Sequence, residues 1–240
     1  MAALNLRSRV YFPYLLIIIQ NITVLVKSSS PSSDEEELDE KTKEALEAQA
    51  GMNTPGPGEI VTALYLSKII PDMLDRAPNI TVNITWPGGA EAKLGNKLSP
   101  KEITEPPQSV TWADNNLKPT SSEDHYFTLL FTGPDHPSKI NPEQREFLFW
   151  HQVNIHGYSQ VSHDSLVAYL APKPANGTGK HRYVFCVYRQ PSKLDFDEPA
   201  INETDYEDRW RIHWDTRHFA KKYNLGDPYA VNFFYSEFQG

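Results

Sequence analysis

The sequence predicts a mainly β domain with peripheral helices. Apolar runs of strand length recur at residues 126–132, 149–155, 183–188 and 230–235. Residues 80–86 alternate Ile80, Val82, Ile84 and Trp86 with polar neighbours, which is the two-residue period of a half-buried strand. Beyond a short, frayed helix that Lys41 to Gln49 could form ahead of the domain, helical spacing is carried by residues 59–76 and 215–223. Strands joined by proline-bearing loops, with few helices, favour a β-rich domain with helices at its edge.

The chain begins outside that domain. Arg7 and Arg9 precede an apolar run over residues 10–26. This is the pattern of a secretory signal, assigned here to residues 1–27, with cleavage expected between Val26 and Ser33. The competing reading is an uncleaved segment that anchors the protein in a membrane. Gln20 and Asn21 interrupt the run and weigh against a stable span. After that segment, four Asn-x-Thr sequons, at Asn79, Asn83, Asn176 and Asn202, agree with secretion and mark expected glycosylation sites.

Residues 28–58 read as an acidic disordered linker. They hold serines, then Asp34-Glu35-Glu36-Glu37-Leu38-Asp39-Glu40, then Pro55, Gly56, Pro57 and Gly58. Too little apolar surface is present to offset the entropy of ordering. Much of the formal net charge of -8 lies here. The run is read as a solvated spacer, with a docking tail for a basic partner as the sharper alternative. No basic stripe occurs anywhere, which excludes a nucleic-acid partner.

The domain is expected over residues 59–240. Val61, Leu64 and Tyr65 give one or two helical turns, broken at Ile70-Pro71. A strand is expected over 79–86, turned by Pro87-Gly88-Gly89, and further strands over 109–112 and the apolar runs above. The helix over 215–223 has Asp215 or Thr216 as its cap, with Asn224 and Gly226 ending it. The one cysteine, Cys186, lies in the most apolar strand and reads as a small buried hydrophobe.

Two stretches carry candidate chemistry. In Gly177-Thr178-Gly179-Lys180-His181-Arg182-Tyr183 a glycine turn delivers a histidine to the head of a strand. His181 and Tyr183 then face one side and Arg182 the other. Gly133-Pro134-Asp135-His136-Pro137-Ser138 also ends an apolar strand. No His-Glu-x-x-His, Gly-x-Ser-x-Gly or phosphate-binding Gly-x-x-x-x-Gly-Lys pattern occurs. A metal, a cofactor and an enzymatic activity are therefore not expected, and His151 and His156 receive no role.

These stretches resemble the signatures of the phosphatidylethanolamine-binding protein family. The resemblance spans nearly all of residues 59–240. It includes Ile70-Pro71-Asp72, Leu94-Gly95-Asn96-Lys97-Leu98-Ser99-Pro100, Pro107-Gln108-Ser109-Val110-Thr111-Trp112 and Val153-Asn154-Ile155-His156-Gly157. It implies a large antiparallel β domain and a small pocket for an anion or phospholipid head group. Transferred by motif, the ligand-binding set is His181, Tyr183, Pro137 and Pro174, with Lys173 where the family has a small glycine. Asp135 and Arg182 are implied as a structural pair. Two pocket positions are lost: Gly133 replaces an aspartate, and Phe149 replaces a histidine.

Two function classes follow. One is a secreted, non-enzymatic binder of a small anion or phospholipid head group, favoured by acid through His181. The other is a secreted interaction protein, a protease inhibitor or signalling regulator, with a vestigial pocket. A pocket plugged by Phe149 would favour the second. The sequence does not specify the oligomeric state.

Overall fold

In a computed structural model of the chain, the described residues are 55–112, 125–160, 163–202 and 208–240. The signal segment and all but the last few linker residues lie outside them. Among the described residues, no helix is long and apolar enough to cross a membrane.

The centre is a six-stranded sheet with strand order β2-β8-β7-β4-β5-β6. These strands are β2 (Asn96–Lys97), β4 (Tyr126–Gly133), β5 (Phe147–His156), β6 (Asp164–Val167), β7 (His181–Gln190) and β8 (Ala230–Ser236). All pair antiparallel except β2 with β8. A separate antiparallel ribbon joins β1 (Asn83–Thr85) to β3 (Ser109–Thr111).

The central strand β7 is apolar on both faces because both faces of the sheet are covered. Tyr183, Phe185 and Val187 join a core with Val82, Ile84, Trp86, Val110 and Trp112 from the ribbon side. Val184, Cys186 and Tyr188 face the helices α1 (Pro57–Leu66), α2 (Ile69–Asp72) and α3 (Thr216–Lys222). Cys186 is a fully buried free thiol in that second core.

Several boundaries differ from the sequence reading. The domain starts before residue 59, because Pro57 and Gly58 are the first residues of α1. Proline is favoured there, where its missing N–H costs no helical hydrogen bond. Glu59 reinforces the start by accepting from the Gly56 N–H at 3.0 Å. The buried face of α1 is Ile60, Ala63 and Leu64, whereas Tyr65 is exposed. The strand expected over 79–86 shortens to β1, although its apolar alternation does point Val82, Ile84 and Trp86 inward. The short, polar strands β2 and β6 were not foreseen. They carry little alternation of their own and are held by pairing to β8 and β5.

α3 forms as its caps dictate. Asp215 accepts from His218 N–H at 2.8 Å, and Asn224 and Gly226 adopt positive φ beyond its end.

Among the titratable groups buried on the helix-side face are His151 and Glu146. His151 is 0% exposed amid the rings of Phe219, Trp214 and Phe196. Neither of its ring nitrogens has a hydrogen-bond partner among the described residues. Burial pushes its pKa down to about 3. Glu146 is also buried, and its pKa is pushed up to about 7 by desolvation, against the pull of a hydrogen bond from Thr216.

These shifts have opposite consequences for stability. Unfolded His151 takes up a proton below its ordinary value of 6.5, whereas the folded form resists until about pH 3. Its contribution therefore falls as pH drops through that window. Folded Glu146 keeps its proton up to about pH 7, whereas the unfolded form loses it near 4.5. Its contribution falls as pH rises from 4.5 to 7. Between these limits the two offset each other. His151→Leu should remove one side of that balance. Going from pH 8 to pH 5, the variant should gain about 2 kcal/mol relative to wild type. Denaturant melts of both proteins at the two pH values check this, and parallel curves would refute it.

Candidate functional site

The two signature stretches meet at one end of the sheet, where β4 ends and β5 and β7 begin. Gly133 pairs with Phe147 of β5, and His181 with Ser236 of β8. His181 and Tyr183 lie on the ribbon-side face of β7, with their rings parallel at 6.3 Å. The two side chains are buried, at 6% and 3% exposure.

The chemistry of His181 follows from its turn. Thr178 Oγ1 donates to Ala175 C=O at 2.7 Å, so its oxygen is left to accept from His181 Nε2–H at 2.7 Å. The neutral ring then carries its proton on Nε2 and presents Nδ1 as an acceptor. Burial pushes the histidine's pKa down, and the nearby His136 adds to this while Asp135 opposes it. At neutral pH the ring's one N–H is thus committed to Thr178. The Tyr183 phenol is also held protonated, by burial first and by Asp135 second.

Phe149 enters the site through a β-bulge. Phe131 pairs with Trp150 and Thr132 with Leu148, so Phe149 is the extra residue on β5. A bulge re-aims the side chain it carries. The Phe149 ring lies edge-on to Tyr183 at 5.3 Å and against Phe147 at 4.7 Å. A Cβ placed on Gly133 would stand 3.0 Å from Phe149 Cε2 and 3.2 Å from the Arg182 carbonyl oxygen. The two positions that the resemblance marks as lost, Gly133 and Phe149, are therefore in contact. The glycine leaves the space into which the phenylalanine ring packs.

The other residues singled out in the sequence are placed less uniformly. Pro174 is buried, whereas Pro137 and Lys173 are exposed. Sequence reasoning gave no part to His136, whose ring packs on Phe147 at 4.5 Å. Its place inside the second signature stretch was the available signal. Thr178 was also passed over, since only the folded turn shows its hydroxyl reaching His181. The sequon asparagines among the described residues, Asn79, Asn83, Asn176 and Asn202, are exposed.

Arg182 points to the opposite face. Its Nε–H and Nη2–H donate to Asp135, the latter at 2.5 Å. Its Nη1 donates to the carbonyls of Ser67 and Lys68, both at 3.0 Å, and to Asp72 at 2.8 Å. Asp135 also accepts from the Arg182 backbone N–H at 2.8 Å. Burial disfavours the guanidinium's charge, but Asp135 and Asp72 outweigh it, so its pKa is raised. Arg182 and Asp135 are 3% and 2% exposed. Asp135→Ala should strand the buried cation and cost about 3–5 kcal/mol. Asp72→Ala should cost less, because that carboxylate is partly solvated. Equilibrium unfolding of the two variants checks the order, and an Asp135→Ala cost below about 1 kcal/mol would overturn it.

Comparison with known proteins gives the family and the fold. The family model described as "Phosphatidylethanolamine-binding protein" matches residues 88–234. The chain is similar to the "26 kDa secreted antigen" of Toxocara canis, with 36% identity over 71% of this chain and 62% of that protein. It thus spans less than two thirds of that relative's length. It is also similar to the "Putative odorant-binding protein A5" of Drosophila melanogaster, with 31% identity over 70% of this chain and 76% of that protein. Among solved structures it resembles a carboxypeptidase Y inhibitor crystallised with its cognate proteinase. There the TM-score is 0.65 and the identity 24%, covering 80% of this chain and 100% of the other. The signature stretches, the sheet end they build and the matched family model together place this chain in the phosphatidylethanolamine-binding protein family.

Proposed function

We propose that this chain is an extracellular, non-enzymatic binding protein that recognises a protein partner, with the family's anion site filled by its own aromatic rings. One observation carries the reading. The Phe149 ring, at the position where the family resemblance calls for a histidine, packs into the space beside Gly133 and offers no donor. A phosphate needs converging N–H and O–H donors or positive charge. Here the His181 Nε2–H is committed to Thr178, burial disfavours the imidazolium, and Phe149 and Phe147 offer only ring faces. Extracellular action is supported by the signal-like start, the exposed sequons and the relative named as a secreted antigen. A protein partner is supported by the fold neighbour that inhibits a proteinase. No nucleophile with an adjacent base was found in the sequence, which favours binding over catalysis.

The competing reading keeps a head-group site that works in acid. Calorimetric titration with phosphoethanolamine at pH 8 and pH 5.5 separates the two, with the ligand's own proton release subtracted. Wild type should bind at neither pH, and Gly133→Asp/Phe149→His should gain binding. The single change Gly133→Asp should instead destabilise, because the new side chain meets the Phe149 ring and the Arg182 carbonyl. If wild type binds more tightly at pH 5.5 and His181→Ala abolishes it, the head-group reading replaces this one.

A further inference from the structure

The turn that carries His181's partner is also a glycosylation sequon. Ala175, Asn176, Gly177 and Thr178 form a tight turn, with Thr178 N–H donating to the Ala175 C=O at 3.3 Å. The Thr178 hydroxyl donates to the same carbonyl at 2.7 Å. Gly177 has φ +79°, which only glycine adopts without strain, so Asn176 and Gly177 occupy the turn's corner. Asn176 is exposed there. The turn is tied to the site by the 2.7 Å contact of Thr178 Oγ1 with His181 Nε2. Lys173 is also exposed, and three residues of chain place it within about 11 Å of Asn176. The corner of this turn is therefore solvent-facing and lies at the edge of the site.

We propose that Asn176 carries an N-linked oligosaccharide, and that this glycan shields the exposed turn, with Lys173, at the edge of the His181–Tyr183 site. The inference rests on the extracellular reading above. The donor is a lipid-linked diphospho-oligosaccharide of the secretory pathway. The Asn176 amide nitrogen attacks the anomeric carbon and a C–N bond forms. The C–O bond to the diphosphate breaks, the lipid diphosphate leaves with the bonding pair, and the amide gives up one proton. Nothing is oxidised or reduced. The Thr178 hydroxyl completes the Asn-Gly-Thr acceptor and, in the folded protein, accepts from His181. Phe149 closes the site from within, and the glycan shields the turn at its edge.

The test uses the full chain secreted from a eukaryotic host. Peptide mapping after enzymatic deglycosylation should show Asn176 converted to Asp. Lys173 should be acetylated by an amine-reactive ester about threefold more slowly in wild type than in Asn176→Gln, because a bulky glycan shields it. Lys193 and Lys221, both exposed, should react equally in the two proteins. If Asn176→Gln is not secreted, the same comparison is made on wild type before and after enzymatic glycan removal. Thr178→Ala removes the glycan and the hydroxyl together, so it should also shift the His181 imidazole titration seen by NMR, which Asn176→Gln should leave in place. An empty Asn176 beside other occupied sequons overturns the proposal while leaving the extracellular reading standing. A cytosolic, glycan-free protein overturns both. An occupied Asn176 with unchanged Lys173 reactivity overturns the shielding role.

Discussion

The buried guanidinium of Arg182 is the constraint on which the site end of this domain depends. Its donors reach two carboxylates and two backbone carbonyls. The carbonyls belong to Ser67 and Lys68, where α1 gives way to α2, and Lys68 itself sits at φ 56°. One side chain thus ties the helical layer to β7 and to the loop that follows β4. A charge so deeply buried is tolerable only when its partners satisfy it in good geometry. Because Asp135 also accepts from the Arg182 backbone N–H, the same pair sets the position of His181 and Tyr183 on either side of it.

On the other face of the same strand, packing replaces electrostatics. Phe131, Phe147, Phe149, Tyr183 and Phe234 form a continuous set of ring contacts between 4.7 and 6.3 Å. Edge-on and offset contacts of this kind add to the stabilisation from burial. The bulge at Phe149 completes the set by turning one extra side chain toward Gly133. A polar cradle at this sheet end would need its donors unspent and its space open. Here the histidine's proton is engaged and the space is taken by a ring.

The helix-side core carries a different departure from an apolar interior. His151 and Glu146 are both buried there, and desolvation moves their pKa values in opposite directions. Each is held in its neutral form in mild acid, which is how ionisable groups are accommodated without an ion pair. Their opposing linkage to protons makes the stability of this layer less dependent on mild acid than either residue alone would make it.

Much of the fold was legible in the residues themselves. The apolar runs of β4, β7 and β8 and the alternation ending in Trp86 specify strands locally, because side-chain period and turn residues act over short stretches. The opposed directions of Arg182 and Tyr183 follow from strand pleating alone. The signature stretches also identified Asp135, Arg182, His181, Gly133 and Phe149 as positions to weigh. The edge strands β2 and β6, the start of α1 at Pro57 and the burial of His151 were not legible, because partners distant in sequence create them. That Phe149 rests against Gly133 was decided by a bulge, and a bulge depends on how two strands register. That Thr178 consumes the proton of His181 was decided by the closure of a turn against a strand. Sequence named the residues of this site, and tertiary structure determined whether their donors and their space were free.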